Sequence, residues 1–265
     1  MKNTLKITNI IALVITIIVN YISNTGILNG NTIASISARY QNLFTPAGYT
    51  FSIWGLIYLG LWVFVIYQGS SLFKKEEDDA IILQIGWWFV LSCIANCLWI
   101  IAFLYDFIGL SVWIMLLLLF SLIKIILNTR MELDDVPFKK IAFVWWPFSL
   151  YSGWITIALI ANIAAWLTEA QWNRSGITEI AWTIIMICIA GAINLLIIWT
   201  RNMREFALVG AWALMGIAVA NWNGAQSIVQ TALAVTLILL VNIGIHAYKN
   251  RKSMPWRNWL LKSRE

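Results

Sequence analysis

The chain has 265 residues, 61% of them hydrophobic and only 11% charged, with a formal net charge of +6. A soluble domain carries about a quarter charged residues, so this composition excludes an ordinary water-exposed globule. The expected fold class is all-α, a polytopic membrane helix bundle.

A hydrocarbon core of about 30 Å takes roughly 20 apolar residues per helix. Backbone amides in lipid must bond internally, so the spans are helices. In chain order they are Ile7–Ile22, Tyr49–Gln68, Ala80–Leu104, Phe107–Leu127, Ile141–Leu167, Thr178–Thr200, Phe206–Asn221 and Gln226–Tyr248. The first is short, and Lys2 and Lys6 before it also fit a secretory signal. It flows into an outer loop without a clean cleavage site, which favours a retained helix. The seventh is barely long enough to cross, so neighbouring helices must shield its ends.

The longest loop, Ser23–Gly48, is rich in Asn, Ser, Thr and Gly and is expected outside, folding over the mouth of the bundle as a lid. Lys74–Asp79 reads as a solvated inner turn. When loops alternate sides, sixteen of the eighteen Lys and Arg fall on one side, leaving Arg39 and Arg174 on the other. The positive-inside rule then predicts a multi-pass cell-membrane protein with both termini cytoplasmic. The net charge is thus a topology device, and no nucleic-acid partner is expected. From Lys249 to Glu265, six basic residues mix with Trp256, Trp259, Leu260 and Leu261. That tail either lies along the anionic inner leaflet or is simply solvated. Asn173-Arg174-Ser175 is a glycosylation sequon of a kind common by chance.

Enzyme chemistry is sparse. His246 stands at the end of the last span without partners for a triad or a metal site. Cys93, Cys97 and Cys188 fall inside spans and read as small packing residues. Asp106, Glu132, Asp134, Asp135 and Glu169 cluster in loops, and Glu179 suits the start of the sixth span. No phosphate loop or dinucleotide fingerprint occurs. The expectation is no catalysis, no cofactor and no metal.

The spans hold aromatics and Asn instead, with 17 Trp in the chain. Trp54 and Tyr58 are four apart and share a helix face. Asn96, Trp99 and Phe103 follow on the third span, and Tyr151, Trp154, Asn162 and Trp166 on the fifth. A buried Asn in a membrane helix needs a partner, so Asn96, Asn162, Asn194 and Asn242 are expected to face inward. Gly191, Gly210 and Gly216 allow close helix approach. These faces are either packing filler or the wall of an aromatic chamber for a flat, neutral, apolar ligand.

At these residues the chain resembles the tryptophan-rich sensory protein or translocator protein (TspO/MBR) family, over roughly Lys6–Leu167. The stretch Thr45 to Tyr58 carries Pro46, Tyr49, Trp54 and Tyr58 in the family's second-helix pattern. Asn96, Trp99 and Phe103 match its third helix; Trp154, Asn162 and Trp166 match its fifth. The paired prolines before the second helix are reduced to Pro46, and Tyr49 stands one position away from the family's aromatic. Leu150 replaces the fifth-helix proline, with Pro147 a turn earlier, and the family's steroid pattern is absent after Trp166.

The resemblance implies a five-helix bundle over 1–168 that binds porphyrins and other hydrophobic ligands, opening toward the first loop. About three further helices follow over 169–248, then a basic cytoplasmic tail over 249–265. It assigns Trp54 and Trp154 as chamber tryptophans, with Tyr58, Asn96, Trp99 and Asn162 beside them; Phe103, Tyr151, Trp166, Pro46 and Tyr49 complete the candidate set. Porphyrin breakdown is ascribed to some members of the family. The leading expectation is a membrane-embedded binding or sensory protein whose partners are a porphyrin-like molecule, the bilayer and a second copy in a homodimer. The alternatives are a transporter of a small apolar or neutral solute, and a scaffold whose aromatics only pack.

Overall fold

A computed structural model describes residues 2–70 and 79–250. Of the charged turn expected at Lys74–Asp79 all but Asp79 lies outside the described residues, as does the tail from 251 onward. Those described are largely helical, with no strand among them.

The first helix, α1 (Lys2–Ile22), shows how the bundle is put together. Ile7, Ile11, Ile15 and Ile18 are all about half exposed, while Leu5, Asn9, Leu13, Thr16 and Asn20 are buried. The apolar stripe faces outward to lipid and the amides face inward, as expected where lipid is as apolar as leucine and polar groups bond between helices. Asn9 Nδ2 accordingly donates to Gln68 Oε1 at 3.0 Å.

Six described helices are long and apolar enough to cross a membrane: Lys2–Ile22, Gly48–Gly69, Ile108–Asn128, Phe138–Glu169, Glu179–Arg201 and Gln226–Lys249. Two more, Trp88–Leu104 and Arg204–Ala220, have 17 residues each. The chain is a multi-pass membrane protein.

The span expected at Ala80–Leu104 is not one helix. It divides into α4 (Asp79–Ile85) and α5 (Trp88–Leu104). Gly86 sits between them at φ +54°, a left-handed conformation that ends a helix and that glycine adopts without strain. The loop Ser23–Gly48 contains a short helix, α2 (Ile33–Arg39), started by a reciprocal box in which Thr32 and Ser35 cap each other's backbone N–H. A 3-10 turn (Gly48–Ser52) then leads into α3 (Ile53–Ser70), and α6 spans Ile108–Asn128.

The fifth expected span is longer than its apolar run. α7 (Phe138–Lys140) passes through a π turn (Ile141–Trp145) into α8 (Trp146–Glu169). Pro147 is the second residue of α8; proline offers no N–H and crowds the preceding carbonyls, and a widened turn relieves both. The last three helices are α9 (Glu179–Arg201), α10 (Arg204–Ala220) and α11 (Gln226–Lys249). α10 packs on α8, α9 and α11 and on the 3-10 turn before α3. A Cβ on Gly153 of α8 would lie 2.7 Å from the Phe206 carbonyl oxygen, so only glycine lets the two backbones meet there. Gly216 of α10 likewise abuts Thr50.

Candidate ligand-binding site

The longest loop, Ser23–Gly48, supplies a roof. Asn29 and Asn31 both donate through Nδ2 to the Leu104 carbonyl, at 3.2 and 3.0 Å, satisfying one of the orphan carbonyls at the end of α5. Arg39 Nη1 contacts Asp106 Oδ2 at 2.7 Å. The other end of the roof is held by α10: Ala47 N donates to Gly216 O, Trp212 Nε1 to Thr50 O and Asn221 Nδ2 to Leu43 O, all at 2.9–3.0 Å.

Beneath it lies a hollow of about 760 Å³, within the range of roughly 300–1,000 Å³ common for small-molecule sites. Its walls come from α1 (Ile17, Asn20), from the loop (Asn24, Ile33, Ser37, Pro46) and from Phe51, Trp54 and Tyr58, with Ala220 contributed by α10. A side chamber of about 60 Å³ continues past Phe51 and Trp54 toward Trp99, Phe103, Trp154 and Asn162. No charged side chain lines either space among the described residues.

Rings fix the shape. Trp54 stacks on Tyr58 with centroids 5.4 Å apart and planes 17° apart. It meets Tyr151 and Trp154 edge-on at 5.9 and 6.2 Å, and Phe51 meets Trp154 edge-on at 5.7 Å. Trp99 and Phe103 stack at 5.5 Å. Edge-to-face and offset pairs at these distances are the favoured aromatic geometries. Behind them Asn20 Nδ2 donates to Asn96 Oδ1 at 2.8 Å, and Asn96 Nδ2 donates to Tyr151 Oη at 3.0 Å, tying α1, α5 and α8. Asn162 Nδ2 donates to Ser111 Oγ at 2.9 Å. By contrast, the buried indole N–H groups of Trp99 and Trp154 find no acceptor within the protein.

The candidate residues therefore divide. Pro46, Trp54, Tyr58, Trp99, Phe103, Trp154 and Asn162 line the two spaces. Asn96 and Tyr151 stand behind, as hydrogen-bonded support. Tyr49 is 46% exposed and leans edge-on against Trp212, outside both spaces. Trp166 is 36% exposed and lies over Gly109 of α6, whose Cβ would meet its Nε1 at 2.8 Å. Helical spacing placed Trp166 on the Asn162 face, but at the end of α8 the gap left by Gly109 captures the ring. Asn194 is buried, whereas Asn242 lies nearer the surface and accepts from Trp199 Nε1. Phe51, Asn20, Asn24 and Ser37 were not singled out from the sequence. The one signal available for Asn20 was an amide on the same face as Thr16 in an apolar span.

A family model described as TSPO-like protein matches residues 6–245. That stretch runs into α11 rather than stopping at the end of α8. No curated protein and no solved structure matches the chain.

Proposed function

The chain belongs to the TSPO-like protein family, and from that membership we propose that its bundle binds a flat, hydrophobic, uncharged or weakly polar ligand such as a porphyrin. The observation that carries the reading is the pair of buried indole N–H groups, on Trp99 and Trp154, left without protein acceptors beside a ring-walled hollow. A buried unpaired donor costs about 1–3 kcal/mol, and a ligand acceptor in the side chamber recovers it. Stacked and edge-on rings around Trp54 offer faces to a planar molecule. Asn20, Asn24 and Ser37 offer polar contacts to its rim.

The reading is one of binding and sensing, which suits a roofed hollow walled mostly by rings with a few polar groups. The bias of Lys and Arg to one side supports a roof outside and both termini in the cytoplasm. Titration of the detergent-purified protein with a porphyrin is expected to quench Trp fluorescence saturably, with Trp54→Ala plus Trp154→Ala removing the saturable part. Unchanged quenching in that double variant defeats the assignment.

A further inference from the structure

A separate cleft of about 250 Å³ opens at the same end of the bundle, where α8 turns into α9. It is smaller than the roughly 300–1,000 Å³ of drug-sized sites. Three stretches build it: Asn42 and Phe44 from the roof, the end of α8 with the turn after it, and the first two turns of α9. Trp172 and Trp182, both in its lining, meet edge to face with centroids 4.9 Å apart. Arg174 and Glu179 approach to 3.6 Å, beyond hydrogen-bond distance, and their side chains remain 39% and 40% exposed. Gln171, Arg174 and Ser175 all have φ of 51–56°, in the left-handed region. Each such non-glycine residue costs roughly 1–2 kcal/mol, and three of the eight among the described residues fall in this one turn.

A loose, half-exposed ion pair lining the same cleft as two indoles offers both of its charges to a neutral dipole, which can engage them together where an ion of either sign engages only one. We propose that this cleft binds a small zwitterion of the phosphoethanolamine type, its phosphate on Arg174 and its ammonium on Glu179 and the indole faces of Trp172 and Trp182. A guanidinium presents a planar fork to phosphate oxygens, and indole faces attract alkylammonium groups. The cleft lies at the end of membrane-crossing helices, at the depth where lipid headgroups sit. It requires nothing from the aromatic chamber.

Native mass spectrometry of the full chain in detergent tests it with three probes: short-chain phosphatidylethanolamine, short-chain phosphatidylglycerol and free phosphoethanolamine. The expected result is one retained phosphatidylethanolamine in preference to phosphatidylglycerol. Arg174→Gln and Glu179→Gln should each lower its occupancy about tenfold, or about 1.4 kcal/mol, while Arg174→Lys keeps part of it. Retention of free phosphoethanolamine as well assigns the site to a soluble zwitterion; retention of the lipid alone assigns it to a membrane headgroup. Equal retention of both lipids overturns the proposal, as does retention of neither ethanolamine probe or wild-type occupancy in the Arg174→Gln, Glu179→Gln double variant.

Discussion

At the roofed end of the bundle, Trp99 and Trp154 bury neutral N–H groups beside open space. At the opposite end the partly buried groups are charged. There Arg201 Nη2 donates to Ile126 O at 3.2 Å, Asn202 Nδ2 donates to Glu132 O at 3.0 Å, and Asn202 Oδ1 lies 3.0 Å from His246 Nε2. The Glu132 carboxyl, in the loop between α6 and α7, is pushed up to about 8, first by burial and then by the nearby Glu205, with Arg204 pulling the other way. The difference is physical. A neutral donor can wait for a ligand at a cost of about 1–3 kcal/mol, whereas a buried charge must be paired or neutralised by protonation.

The largest effect is expected from glycines that set helix approach. Gly153→Val drives a side chain into the Phe206 backbone, which cannot yield without moving α10 off α8. A loss of about 3 kcal/mol is expected, the upper part of the usual overpacking range. Gly216→Val at the roofed end meets the buried, β-branched Thr50, whose Cβ is itself within 3.0 Å, so about 2–3 kcal/mol is expected, with an added loss of ligand affinity. Thermal unfolding in detergent and porphyrin titration read the two quantities separately. Equal stability losses with intact binding would erase the distinction between the ends.

Next comes the buried acid. The folded-state value of Glu132 lies above its usual 4.5, so the folded protein favours the protonated form. Its stabilising share is complete below about pH 4.5 and is lost as pH rises through about 8. Glu132→Gln is therefore expected to flatten the fall in melting temperature between pH 5 and 9, worth on the order of 2 kcal/mol at the alkaline end. A wild-type profile already flat over that window would show the carboxyl to be solvated. Asn96→Leu acts at the other end, removing the amide that joins Asn20 to Tyr151. Two buried hydrogen bonds at about 1 kcal/mol each, offset by added apolar bulk, leave an expected loss of about 1–2 kcal/mol and a weakened chamber wall.

These contrasts also explain what the sequence disclosed. The helices were legible because lipid demands long apolar runs, and the buried amides because polar groups in such runs must face inward. Hydropathy could not see the break at Gly86, since both sides of it are equally apolar. The family resemblance brought Trp54, Trp99 and Trp154 to one region, but it also offered Tyr49 and Trp166, and these lie elsewhere. Their fate was decided by Trp212 on α10 and Gly109 on α6, neighbours that no local pattern reveals. The contribution of α10 to the roof was invisible for the same reason: Gly216 and Asn221 act through carbonyl and amide contacts more than 160 residues away along the chain.

The smallest equilibrium effect, and the finest test of the comparison, concerns Arg39 and Asp106. The pair closes at 2.7 Å, yet its side chains are 48% and 36% exposed. Solvent screens such a pair, so Arg39→Gln is expected to change stability by at most about 0.5–1 kcal/mol. The consequence should be kinetic instead. Arg39 ends α2, the helix that roofs the hollow, and Asp106 belongs to the turn between α5 and α6. Loosening that tie leaves the chamber intact while raising the chance that the roof lifts, so ligand association and dissociation should both accelerate with little change in affinity. Stopped-flow quenching measures the two rates directly. High salt should speed exchange in the wild type by screening the same pair and should do little to Arg39→Gln. If salt accelerates both proteins equally, the roof is held by Asn29 and Asn31 on Leu104 rather than by charge.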